Sequence, residues 1–359
     1  MKQRVFVIQS VPASILSKSN ASQAAYNFCR KLIDVGIFDY TLSIVPADIK
    51  ICSRDCVKDD AVEYLDFRIF EVLRFVKYIS VLVNDMLCVL KCASANKIWF
   101  YNITKTNFLA YVILRFLLRK SVFVIIADHS PNASWWSLSN CMEWVLAKAS
   151  GIISLSSRAY PLNENLIVIP GIESFDKKML LPRKNKSPRK SFLFSGLLSN
   201  VTGIEMALKI FSKTDAVDLI VTGKKIDLVE EYALAYQNIK YLGFLEYDEY
   251  LDVLKSVDYC LSFRDPSLAE NIYNFPSKVI EYMAYGKSVI STIVYPELDG
   301  MMYHTVSFDE CEIMALIKRL SFHDSIPAEG LLDNIEKIHE HFSLSTWASS
   351  IVKIEGDSL

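Results

Sequence analysis

Between residues 274 and 287 the chain reads NFPSKVIEYMAYGK, and Lys278 with Glu281 is its most pointed chemical pair. A separation of three puts both side chains on one face of a helix. A lysine near the first turn can meet phosphate charge, and a carboxylate one turn on can accept two hydrogen bonds from a ribose diol. Pro276 suits a helix start because its missing N–H costs nothing there, and Asn274 or Ser277 can cap the exposed donors. Gly286 then ends the helix before the apolar SVIST. The same spacing also describes an ordinary ion pair on a solvated face.

Three further groups stand just beyond apolar runs in the second half. FLFSGLLSNVTGIEMALKIF passes from a strand through Gly196 to a helix starting near Thr202 or Gly203, whose open N–H groups suit phosphate. DLIVTGKK sets Gly223, Lys224 and Lys225 at a strand end, and DYCLSFRDP does the same for Arg264. In the first half His129 follows the run VFVIIAD. There it can hydrogen-bond a ligand hydroxyl or assist proton transfer, or it can cap its own loop beside Asp128. His304, His323, His339 and His341 show no ligand spacing and read as surface or helix-end residues.

The elements that must position these groups alternate between short β-branched runs and longer helical patterns. Strands are expected at residues 4–9, 40–45, 97–101, 121–127, 151–155 and 166–169, then at 191–195, 218–222, 239–241, 259–263 and 288–292. Helices are expected between them, including 202–213, 228–236, 247–257, 276–285, 311–321 and 331–341. Such alternation means βαβ units on parallel sheets with helices on both faces. Residues 171–190, charged and with two prolines, read as a linker. The expected organisation is an N-terminal domain at 1–170, a C-terminal domain at 191–340, and a terminal helix within 341–359 packing back toward the first domain. A ligand cleft between two such layers is the default expectation.

A chain of 359 residues with 52% hydrophobic and 22% charged residues suits two cores and is not a disordered composition. The formal net charge of −2 divides unevenly. Residues 1–175 hold 19 Lys+Arg against 14 Asp+Glu, and residues 176–359 hold 20 against 27. The basic first half has the better claim on an anionic partner. Eight cysteines include Cys52/Cys56 and Cys88/Cys92 but no C-x-x-C. Reduced, buried thiols fit better than zinc. No signal peptide is legible at the start, so a cytoplasmic site is expected. The apolar stretches 68–92 and 107–126 are broken by charges and do not qualify as spans. They read as buried helices or as a basic, apolar helix on a membrane surface.

The NFPSKVIEYMAYGK segment resembles the donor-site signature of GT-B glycosyltransferases of the retaining family-4 type, whose bacterial polysaccharide members carry a similar stretch. The likeness runs over residues 191–296, through YLGFLEYDEYLDVLKSVDY and TIVYPEL, and is faint over 1–190. It implies an α/β, GT-B architecture of two Rossmann-like doubly wound domains facing a central cleft. It implies a nucleotide-diphosphate sugar as donor, a glycan or lipid-linked glycan as acceptor, and no metal or other cofactor. Glu281 would bind the donor ribose, with Lys278 and Arg264 near the diphosphate or sugar, and Ser277, Tyr273, Asn274, Gly196, Lys224 and Lys225 around them. In related enzymes a histidine in a loop comparable to that of His129 lies near the donor sugar. The opening loop QSVPASILSKSNASQ lacks the glycine pair common at that point, so Lys18, Ser19 and Asn20 would meet the acceptor.

Two departures bear on activity. Many relatives have two glutamates separated by seven residues, but eight positions before Glu281 this chain has Tyr273, which leaves Glu270 or Asn271 to substitute. The basic pair after the first glycine turn is replaced by Leu197 and Thr202. A non-catalytic, nucleotide-sugar-binding partner subunit and a nucleotide-sugar epimerase therefore stand as alternatives to the transferase. Nucleic acid is not among the expected partners, whereas an anionic membrane face is, through residues 111–120.

Overall fold

The computed structural model describes residues 4–16, 19, 21–46, 61–67, 74–128, 138–159, 163–173, 189–322 and 326–356. The chain divides into two compact units: Met1–Ile172 with Leu344–Leu359, and Glu173–Ser343.

In the first unit the order is β1 (Arg4–Ile8), α1 (Ala13–Leu16), α2 (Gln23–Asp34), β2 (Tyr40–Ile44), β3 (Glu63–Leu65), α3 (Arg74–Cys92), β4 (Lys97–Tyr101), α4 (Phe108–Val112), a π-helical turn (Ile113–Leu117), β5 (Ser121–Ile126), α5 (Leu138–Leu146), β6 (Gly151–Ser154) and β7 (Leu166–Val168). The seven strands form one sheet in the order β3-β2-β1-β4-β5-β6-β7, every pair parallel. Val5, Val7, Ile98, Phe100, Val122 and Val124 are buried in its core, as sheets covered on both faces require.

The second unit repeats the plan with β8 (Ser191–Gly196), α6 (Ile204–Phe211), β9 (Asp218–Gly223), α7 (Asp227–Ala235), β10 (Ile239–Tyr241), α8 (Tyr247–Ser256), β11 (Tyr259–Ser262), α9 (Ala269–Tyr273), α10 (Lys278–Ala284), β12 (Ser288–Ser291), β13 (His304–Thr305), α11 (Glu310–Phe322) and α12 (Ala328–His341). Its six strands run β10-β9-β8-β11-β12-β13, again all parallel. The strand order reverses between β8 and β11, and ligands of open α/β sheets sit beyond the carboxyl ends at that switch point.

The last helix, α13 (Leu344–Ile354), belongs to the first unit. Trp347, fully buried, donates its indole N–H to the Gly171 carbonyl at 2.7 Å and meets Phe28 edge-on. Just past the helix Glu355 lies inside the unit, accepting from Arg4 Nε at 2.8 Å, Lys97 Nζ at 2.9 Å and Trp99 Nε1 at 2.7 Å.

The expected strands appear, and two short edge strands, β3 and β13, join them. His304 is therefore a half-buried strand residue, not a surface one; desolvation first, and Arg319 second, hold its pKa below the ordinary value. Cys88 and Cys92 are buried and hydrogen-bonded to each other on α3, while Cys52 and Cys56 lie outside the described residues. Among the described residues no group of three His, Cys, Asp or Glu is arranged to hold a metal ion, and no helix is long and apolar enough to cross a membrane.

Candidate functional site

The residues gathered at the switch point of the second unit start from Gly196, the last residue of β8. Its φ of 116° is one that side-chain-bearing residues rarely adopt. A Cβ there would press on Lys278, meeting Cε at 3.3 Å, so the lysine stem crosses directly over the strand end. Lys278 opens α10, and its ammonium donates to Ser195 Oγ at 2.9 Å and sits 4.4 Å from the centre of the Tyr250 ring. Ser195 Oγ is shared in turn with the Tyr282 hydroxyl at 2.8 Å. Desolvation of the amine outweighs the nearby Glu281 and lowers the Lys278 pKa.

Glu281 does not pair with this lysine by any direct hydrogen bond. One turn along α10, it accepts the Tyr250 hydroxyl on Oε2 at 2.7 Å and the Tyr247 hydroxyl on Oε1 at 3.2 Å. Both tyrosines come from α8, at positions i and i+3 of one helix face. A carboxylate has about four acceptor sites, so two phenol donors leave capacity for two more. A solvated i, i+3 ion pair is thus not what the fold builds: Lys278 and Glu281 are bridged through Tyr250, which touches the first by its ring and the second by its hydroxyl.

Helix α8 is itself pinned from below. Lys287, 4% exposed, donates to the carbonyls of Lys255 and Val257 at 2.8 Å each, filling acceptors left open at the helix end. Sequence reasoning did not find Tyr247, Tyr250 or the work of Lys287. The signal was present as Y-x-x-Y in EYDEYL and as the final lysine of the motif.

A second group forms at the end of the neighbouring strand β11. Thr292 clips the Arg264 backbone, its hydroxyl accepting the Arg264 N–H and donating to the Arg264 carbonyl, both at 2.7 Å. The guanidinium donates to Asn271 Oδ1 at 3.3 Å. Asn271 is fully buried, and its amide hydrogens go to Val201 O at 2.8 Å and Asp265 O at 3.0 Å. The Asn271 amide thus ties two loops together and orients Arg264. Glu270, one residue earlier on α9, is exposed.

The remaining expected residues fall in several places. Ser277 holds the N-cap position of α10 but makes no side-chain cap bond, because its backbone is already helical and α10 starts at Lys278. Tyr273, the last residue of α9, and Asn274 just after it are half-buried. Lys225 is bound to Glu230 at 2.8 Å, an exposed pair that draws it away from the strand end it follows. Lys224, also beyond β9, is exposed.

Thr202 closes the β8–α6 turn through its hydroxyl, which lies 2.7 Å from Leu197 O and 2.8 Å from Ser199 O. The helix after it begins at Ile204, behind Gly203, whose φ is 75° and whose Cβ would meet the Phe263 carbonyl at 2.4 Å. In the first unit Ser19 is described and hydrogen-bonds to Leu16 O at 3.1 Å, whereas His129, Lys18 and Asn20 lie outside the described residues.

Residues 189–320, which hold all of this geometry, match the family described as glycosyl transferases group 1. The likeness to this family lies within the second unit. Over the full length the fold is GT-B, shared with solved structures at low identity. HepE of Anabaena in complex with UDP and glucose superposes with a TM-score of 0.70 at 16% identity, covering 100% of each chain. Sucrose-phosphate synthase of Thermosynechococcus elongatus gives 0.70 at 14%, covering 99% of this chain and 98% of that one. The N-terminal domain of Candida albicans trehalose-6-phosphate phosphatase gives 0.72 at 12%, with 100% and 97% covered. No curated protein sequence matches the chain.

Proposed function

We propose that the second unit binds a nucleotide-diphosphate sugar and that the chain transfers the sugar to a glycan or lipid-linked glycan in surface polysaccharide assembly. The observation that carries this reading is the half-open Glu281 carboxylate beside Lys278 over Gly196, at the switch point of the unit that matches group 1 glycosyl transferases. Glu281 offers its carboxylate oxygens to the ribose diol. Lys278 and Arg264 stand at neighbouring strand ends and meet diphosphate charge, which develops further as the glycosidic bond breaks. The presence of UDP with HepE supports a donor of this class.

The reaction is proposed to retain anomeric configuration and to need no metal. The bond from the anomeric carbon to the diphosphate oxygen breaks, the acceptor oxygen bonds to the same face, and the acceptor proton passes to the departing phosphate. A thermal-shift panel of UDP-, GDP-, ADP- and CMP-sugars tests donor binding, because a ligand of the native state raises its stability. No shift with any of them removes the reading.

One observation favours a second reading, that of a nucleotide-sugar-binding partner without catalysis. Tyr273 replaces the first carboxylate, and the nearby Asn271 amide is already spent on Val201 and Asp265. Release of nucleoside diphosphate only when an acceptor is added supports transfer; binding without turnover for any acceptor supports the partner.

For the acceptor side we propose peripheral contact of the first unit with anionic membrane. Tyr111 and Leu114 are core, but Phe116, Leu117 and Leu118 are exposed at the end of the π-helical turn, next to Arg119. Arg115 donates to Lys148 O and Lys120 O, and Lys120 to Ala95 O, so both brace the turn. Apolar insertion plus one cation gives weak, salt-sensitive binding. Flotation with anionic and neutral vesicles at low and high salt measures it, and no binding to anionic vesicles at low salt leaves a soluble acceptor.

A further inference from the structure

The two tyrosines on Glu281 are not equivalent. Tyr250 is 7% exposed, and its 2.7 Å bond to Oε2 is short and strong; its ring is also committed to Lys278. Tyr247 is 37% exposed, and its bond to Oε1 is longer, at 3.2 Å. It opens α8, where only one neighbouring turn restrains it, and the Tyr285 hydroxyl offers it a second acceptor. One hydroxyl is therefore fixed and one can leave without being stranded, since an exposed phenol loses little when it changes partner.

We infer that the Tyr247 hydroxyl is a place-holder at the donor site: it occupies Oε1 of Glu281 in the empty protein and is exchanged for a ribose hydroxyl when a nucleoside diphosphate binds. The inference rests on Glu281 being the ribose acceptor. Tyr250 stays in place throughout and sets the angle of the carboxylate, while Tyr247 turns to Tyr285 or to water. The exchange keeps each carboxylate oxygen with a donor in both states, so that neither the empty nor the filled site leaves one of the two oxygens bare. It also blunts the selectivity for ribose. A ligand lacking the diol leaves Oε1 open to Tyr247, which restores the bond the ligand fails to make.

The experiment is calorimetric titration of wild type, Tyr247→Phe and Tyr250→Phe with UDP, GDP and ADP and with the 2′,3′-dideoxy form of whichever binds. Wild type is expected to lose about threefold in affinity on removal of the diol, and Tyr247→Phe about tenfold or more, because nothing then refills Oε1. The ribose-containing ligand should bind Tyr247→Phe as tightly as wild type or tighter, since a competitor has been removed. Tyr250→Phe should weaken it about tenfold. An equal ribose-to-dideoxy ratio in wild type and Tyr247→Phe overturns the exchange, as does a severalfold loss of ribose-ligand affinity in Tyr247→Phe. Both leave the donor site standing. Failure of all three diphosphates to bind wild type overturns the donor site and the exchange with it.

Discussion

Glu355 and Glu281 are two carboxylates with aromatic and basic neighbours, one in each unit, and they are finished differently. Glu355 has no exposed side-chain surface and receives three donors, two of them cationic, from Arg4, Lys97 and Trp99. Its acceptor sites are nearly full and no solvent reaches it. Glu281 is half-buried, receives only two phenols, and its neighbouring lysine is turned onto Ser195. A closed cluster of the first kind fastens the last segment of the chain to the strands of its own unit. An open cluster of the second kind keeps acceptors and a cation in reserve, which is what a ligand needs.

The comparison breaks most easily at Glu355. Glu355→Ala removes the carboxylate shared by two partly exposed cations and the Trp99 indole and should cost about 1.5–3 kcal/mol in the unfolding of the first unit, read by chemical denaturation. A loss under about 1 kcal/mol would mean the cluster is not the fastening it looks like. Glu281→Gln should do the opposite. Donor affinity should fall by about 1.5–3 kcal/mol with unfolding almost unchanged, since a carboxamide still accepts from a tyrosine. Unchanged donor affinity would remove Glu281 from the site.

Lys287→Met lies between the two. Two helix-end carbonyls lose their partner, so the second unit should lose about 1–3 kcal/mol of stability. Because α8 carries Tyr247 and Tyr250, donor affinity should fall as well; a stability loss with unaltered affinity would separate the helix end from the site.

The smallest expected effect is at Asp85, a buried carboxylate on α3 whose Oδ1 has no partner. Burial pushes its pKa up to about 7, against the backbone N–H groups of Ala110 and Leu109, which favour the charge. The folded chain then holds a proton that the unfolded chain releases near 3.8. Stability from this group is greatest below about pH 4 and declines as pH rises through about 7. Asp85→Asn should flatten that decline and gain on the order of 1 kcal/mol at pH 8, read from melting temperature against pH.

The buried parallel strands were legible because their β-branched runs are continuous, and the motif 274–287 named Lys278 and Glu281 directly. Strands β3 and β13 were not, since three and two edge residues carry no period. Tyr247 and Tyr250 were legible as one helix face, but which helix that face meets is a tertiary fact. The bonding of Asn271 was hidden for the complementary reason: sequence shows a polar residue near a site, and only the fold shows its amide bonded to Val201 and Asp265. The first-unit candidates His129, Lys18 and Asn20 lie outside the described residues.

The central claim is that Lys278 meets diphosphate and Glu281 meets ribose within one site. Calorimetry of wild type, Lys278→Met and Glu281→Gln with a nucleoside diphosphate and the matching nucleoside tests it most directly. Lys278→Met should weaken the diphosphate about tenfold or more and leave the nucleoside alone, whereas Glu281→Gln should weaken both by a similar factor. Equal losses of the two ligands in Lys278→Met, or a loss confined to the diphosphate in Glu281→Gln, would contradict the assignment.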